Sequence, residues 1–141
     1  MNYLVFLDAK AGELEKILSG TKSMVVKELD PARPAVQPIS PGDSLYFLRN
    51  NEDCAVRVKA TVVRVLFLKD NSGEDLSNTI KEMQPKLQMT ENQYNYWAKK
   101  QQAMLVEFES AHKIPVIQVA LNKIKDKSNW IAFEDLSLKT E

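Results

Sequence analysis

Between residues 54 and 69 the chain alternates apolar and polar side chains, and the alternation changes phase partway with no turn residue present. Val56, Val58, Ala60 and Val62 fall on one side, with Arg57, Lys59 and Thr61 on the other. That is the period-two signature of a half-buried strand. At Val62-Val63 the pattern slips by one, so beyond it Val63, Val65 and Phe67 are expected inward and Arg64 outward. A strand keeps one face buried unless a residue is inserted into its pairing, so the slip predicts a β-bulge or a sharp bend. A long strand bent in this way belongs to a strongly curved sheet, such as small barrels use.

The rest of the chain supplies partners for that strand. Residues 2–8 form a short apolar run closed by Asp8, read as a buried strand. A short helix over 13–19 follows, with Leu14, Ile17 and Leu18 on one face and Gly20 as its left-handed C-terminal cap. Residues 23–27 read as a second strand, and the proline-rich stretch 29–41 as an irregular connection. Pro41-Gly42-Asp43 is a turn that feeds a strand over 45–49, and residues 50–53 read as a hairpin into the long strand. The middle turns helical. Ser72 to Asp75 is an N-cap pattern ahead of Leu76, Ile80 and Met83, and Pro85 interrupts that segment. Thr90 and Gln93 form a capping box opening a helix that carries Tyr94, Trp97 and Ala98 on one face. Strands are expected over 103–109 and 116–121, separated by a connection around His112. The tail 129–136, with Trp130, Ile131 and Phe133, is expected to supply a closing strand. The expected class is α+β: a mixed β-barrel with a short N-terminal helix and a helical insertion, one domain over residues 1–141.

Composition removes several functions. A single cysteine, Cys54, excludes an internal disulfide framework and a multi-cysteine metal site. With His112 as the one histidine, no His-based metal site is expected. Lys+Arg and Asp+Glu are 19 each, so the whole molecule does not read as an indiscriminate polycation. The apolar run 3–7 is too short for a signal-peptide core or a membrane span, and a cytoplasmic protein with no membrane partner is expected. There is no P-loop, dinucleotide fingerprint, HExxH, nucleophile elbow or CxxC, so neither a cofactor nor a catalytic residue is assigned. A Cys54–His112 pair is the one formal nucleophile–base combination, and a lone cysteine at a strand start more often packs as a small hydrophobe.

Local charge says more than the total. Arg57, Lys59, Arg64 and Lys69 share one strand that holds no acid, whereas five acids fall between Asp70 and Glu91. One wall of the barrel is therefore expected to be basic although the molecule is neutral. It either tracks phosphates or is a solvated face whose charges discourage edge-to-edge pairing. Tyr94, Tyr96 and Trp97 leave a similar choice. They stack on bases, or Tyr94 and Trp97 pack against the sheet while Tyr96 faces water.

One constellation carries a resemblance. The run Glu15-Lys-Ile-Leu-Ser-Gly-Thr-Lys22, then Ser23-Met-Val-Val-Lys27, then Pro41-Gly-Asp43 ahead of Leu45-Tyr-Phe47, resembles the ASCH (activating signal cointegrator homology) domain of the PUA-like superfamily. The resemblance implies a PUA-like barrel with a cleft between barrel and helix, where RNA or a modified nucleoside binds. By position it assigns Gly20, Lys22 and Ser23 to the loop and Lys27 to a site where arginine is usual, which keeps the charge but loses the planar fork. Gly20, Gly42 and Asp43 would serve the backbone, with Arg49, Arg57 and Arg64 as further phosphate contacts. Val25 stands where many relatives have glutamate, and where bacterial acetylcytidine amidohydrolases have a nucleophilic threonine; valine can fill neither role. The leading expectation is an RNA- or nucleoside-binding module without covalent chemistry. Its alternatives are an amidohydrolase acting on N4-acylated cytidine and a protein-interaction module using the helices over 74–102.

Overall fold

The computed structural model describes residues 2–8, 11–28, 39–49, 55–69, 75–99, 102–118 and 131–133. The order along the chain is β1 (Asn2–Leu7), α1 (Glu13–Leu18), β2 (Met24–Glu28), β3 (Ser44–Arg49), β4 (Ala55–Lys69), α2 (Asp75–Glu82), α3 (Gln84–Leu87), α4 (Glu91–Ala98), β5 (Gln102–Gln118) and β6 (Ile131–Phe133). The strands make one curled, half-barrel sheet in the order β2-β5-β4-β3-β1-β6, with β1 parallel to β3 and every other pair antiparallel.

The curl comes from the two long strands. The β4–β5 ladder shifts register three times, and one shift lies between Val62 and Arg64, at the phase slip. Val56, Val58, Ala60 and Val62 are buried as the alternation requires. Beyond the bulge the pattern departs from expectation. Val65 is half-buried, but Val63 is 37% exposed and Phe67 60% exposed. Val63 is the inserted residue, with no partner position in the ladder, and Phe67 lies near the end of the strand. The expected break around His112 is also corrected. β5 runs unbroken from Gln102 to Gln118, because it stays paired to β4 through bulges instead of leaving the sheet. Ser110, at φ +58°, lies in one of these irregularities. Pro115 lies in the other, where a residue without an N–H cannot join a ladder.

Both faces of the sheet carry apolar cover. On one, Leu14 and Ile17 of α1 pack with Val5, Phe47, Val58 and Phe108, and the Phe47 and Phe108 rings lie 5.1 Å apart. Leu18, expected on that same face, is 38% exposed. On the other, Met24, Leu105 and partly buried Leu66 meet Ile80 and Leu87 of the helical insertion, with Tyr94 and Trp97 against them. Each fully buried Leu or Ile contributes roughly 1.5–3 kcal/mol from removal of apolar surface, so the insertion is anchored by its own core. Tyr96 is exposed and meets the Trp97 ring edge-on at 5.0 Å. The capping box forms with both bonds present: Gln93 N–H donates to Thr90 Oγ1 at 3.2 Å, and Thr90 N–H donates to Gln93 Oε1 at 3.0 Å.

Among the described residues no helix is long and apolar enough to cross a membrane, and no three His, Cys, Asp or Glu side chains group as metal ligands. Cys54, Trp130, most of the 29–41 connection and the 50–53 hairpin lie outside the described residues.

Candidate functional site

The loop after α1 is built by a Schellman ending. Gly20 adopts φ +82°, its N–H donates to Ile17 O at 3.1 Å, and Thr21 N–H donates to Lys16 O at 3.0 Å. Lys22 N–H shares that Lys16 carbonyl at 3.0 Å, which turns the Lys22 side chain inward. The result is a lysine only 2% exposed.

Its ammonium has two partners. Nζ lies 3.4 Å from Glu13 Oε1, and it donates to the backbone carbonyl of Leu87, 65 residues further along the chain. Glu13 is itself held, since Asp8 N–H donates to its Oε2 at 2.6 Å. Burial pulls the Lys22 amine below the ordinary lysine range, against the opposing pull of Glu13.

Three successive carbonyls at the C-terminal end of α3 are taken up by this loop and α1. Ser23 N–H donates to Lys86 O at 2.9 Å, Lys22 Nζ to Leu87 O, and Lys16 Nζ to Gln88 O at 3.0 Å. These are the carbonyls a helix leaves unsatisfied at its end, where cations are also favoured by the helix dipole. Ser23 is fixed on its other side as well, because its carbonyl accepts from Phe108 N–H at 3.0 Å.

Beside this seam lies a second charged group. Glu107 of β5 accepts from Lys86 Nζ at 2.6 Å and from Arg64 Nε at 2.9 Å. The Lys86 hydrogen bond, assisted by the Arg64 charge, holds its carboxyl below the usual carboxylate range. The Lys86 and Arg64 side chains are 42% and 44% exposed, so both cations also face water.

The sequence-derived residues therefore divide. Lys22 and Ser23 meet on one seam with Arg64 close by, while α3 covers Lys22. Lys27 lies on β2 opposite Met104, half-buried. Arg57 lies half-buried on β4, and Arg49 ends β3 opposite Leu7, its side chain outside the described residues. Gly42, at φ +96°, and Asp43 close the turn into β3. Ser40 N–H donates to Asp43 Oδ2 at 2.8 Å, and Val62 N–H donates to Asp43 O at 2.8 Å. Glu13, Lys16, Lys86 and Glu107 were not singled out by sequence. Glu13 and Lys16 read as ordinary surface positions of a short helix, and nothing local to either segment signals its meeting with α3.

No family model matches the sequence, and no curated protein does. Solved structures do. ASCH from Zymomonas mobilis superposes with a TM-score of 0.67 at 14% identity, covering 99% of this chain and 96% of that one. A tyrosine-to-phenylalanine variant of that protein gives 0.68 at 12% identity, over 96% of this chain and 91% of the other. At such identities the likeness is one of fold, and the fold is that of ASCH proteins.

Proposed function

We propose, from this ASCH fold, that the chain is a binding module for RNA or a modified nucleoside that carries out no covalent chemistry. The observation that supports it most is the gathering of Lys16, Lys22, Arg64 and Lys86 at the seam between α1, α3 and β5, against the two carboxylates Glu13 and Glu107. An excess of cations at one edge of a neutral molecule attracts a polyanion locally without making the whole protein sticky. In this reading Lys86 and Arg64, both facing water, meet phosphates first. Lys22 acts from beneath by fixing the loop that carries Ser23, and Lys27, Arg49 and Arg57 remain further candidates for phosphate contact.

Fluorescence anisotropy with labelled RNA oligonucleotides of varied sequence tests this at about 50 and 200 mM salt. Lys86→Ala and Arg64→Ala should each weaken binding across all sequences and lower the salt slope by about one. Glu107→Gln, which removes the competing carboxylate, should tighten it. Failure of every RNA to bind at the lower salt ends the proposal.

A second reading rests on Lys22 itself. An amidohydrolase acting on N4-acylated cytidine would need α3 lifted from Lys22, whose Nζ is covered and donates to Leu87 O beside Glu13. Val25, which is buried and has no hydroxyl, leaves such an enzyme without the threonine nucleophile. Acetate release from N4-acetylcytidine that disappears in Lys22→Ala would promote this reading over the first.

A further inference from the structure

We propose that the single turn α3 is an autoinhibitory latch: it occupies hydrogen-bond donors of α1 and its loop that a bound phosphate would take, and a ligand gains them by displacing it. This rests on the binding reading above and concerns how the seam opens.

The contact is made donor by donor. Ser23 N–H, Lys22 Nζ and Lys16 Nζ donate to the consecutive carbonyls of Lys86, Leu87 and Gln88. Two ammonium groups and a backbone N–H thus converge on one turn of chain. Such a donor set suits an anionic group, yet here its acceptors are neutral carbonyls. A phosphate oxygen carries a full opposite charge and attracts an ammonium more strongly than a carbonyl dipole does. The turn therefore stays shut in the free protein and yields to an anion that competes for the same donors.

α3 is built to move as one piece. The Gln84 side chain brackets the backbone of Met89: its Nε2–H donates to Met89 O at 2.9 Å, and its Oε1 accepts from Met89 N–H at 3.1 Å. Gln88 N–H donates to Gln84 O at 2.8 Å. Residues 84–89 are thus bonded to one another, and Leu87 is the side chain of α3 that is buried in the core. The closed turn also holds strain. Gln88 sits at φ +52°, in the left-handed region that a side chain with a Cβ rarely adopts.

The trigger lies on the latch itself. Lys86 Nζ is held by Glu107 Oε2 at 2.6 Å while its side chain is 42% exposed. A phosphate that takes Lys86 from Glu107 removes the tie between α3 and β5. Departure of the turn then frees Lys16 and Lys22, so each step of opening adds a cation to the ligand's reach.

The test is an anisotropy titration of labelled single-stranded RNA with wild type, Leu87→Ala and Gln88→Gly. Neither substitution changes a cation or a donor, and circular dichroism shows whether each variant is folded. Leu87→Ala removes the latch's anchor and should bind about three-fold more tightly, because a larger fraction of molecules is open. Gln88→Gly relieves the strain of the closed turn and should bind about two-fold more weakly. General destabilisation would not move the two in opposite directions. Leu87→Ala binding no tighter than wild type, while its Lys22 is acylated faster, overturns the latch and leaves the binding reading standing. Gln88→Gly binding as well as wild type overturns the latch too, and it decides the matter if Leu87→Ala does not fold. No RNA binding by wild type or either variant ends the binding reading and the latch with it.

Discussion

Lys22 shows how much one side chain can be asked to do. Its ammonium neutralises Glu13, satisfies a helix-end carbonyl and tethers the insertion, all out of contact with water. Severing a buried pair strands the remaining charge, so Lys22→Met should cost about 3 kcal/mol in urea denaturation. Glu13→Gln added to it should cost little more, because the two groups act together. The pH dependence has a definite sign. Burial lowers the amine's proton affinity in the folded state, so below about pH 10.4 the unfolded chain holds the proton more tightly. The residue's contribution to stability is therefore smallest near neutrality and grows as pH rises toward the unfolded value. Melting wild type beside Lys22→Met from pH 7.5 to 10 should show the gap widening; a narrowing gap would contradict the assignment.

At the level of elements, bulges and caps set the geometry. The phase slip in β4 was legible because one inserted residue exchanges the two faces of everything after it. The bulges of β5 were not legible in the same way: the stretch around His112 read as a connection between two strands, and only pairing with β4 carries the chain through it. Phe67 was misplaced for a related reason. Alternation gives the side a residue faces, not whether anything covers that side near the strand end. Caps are local and so more readable. The reciprocal bonds of Thr90 and Gln93 follow from four residues alone, and Thr90→Ala should cost about 1 kcal/mol by urea denaturation. RNA affinity should stay at the wild-type level in that variant, since α4 carries none of the cations at the seam.

Across the whole molecule, the insertion is a fixed wall. Leu87 is fully buried among Met24, Ile80 and Leu105, and the carbonyls on either side of it are held by α1 and its loop. Leu87→Ala should destabilise the protein by about 2–5 kcal/mol through the cavity it leaves. It should also loosen the cover over Lys22, raising the acylation of that lysine by an amine-reactive reagent above the wild-type level, read by peptide mass spectrometry. Lys22 remaining as protected as in wild type would show that α3 is held without its leucine anchor.

What the amino-acid order determined by itself was whatever depends on neighbours within a few residues. That covers strand and helix alternation, the glycine-ended helix, the Gly42-Asp43 turn, the capping box and the bulge in β4. Such features reflect steric and hydrogen-bonding preferences of short segments, which act before distant parts of the chain meet. The seam on α3 was decided only by tertiary structure, because a lysine and a carbonyl 65 positions apart share no local signal. The contact of Lys59 Nζ with the Tyr46 ring, 5.4 Å from its centre, was decided there too, since it exists through the register of β3 on β4. Charge and aromaticity were written in the sequence, but which groups converge was settled by how the sheet curls.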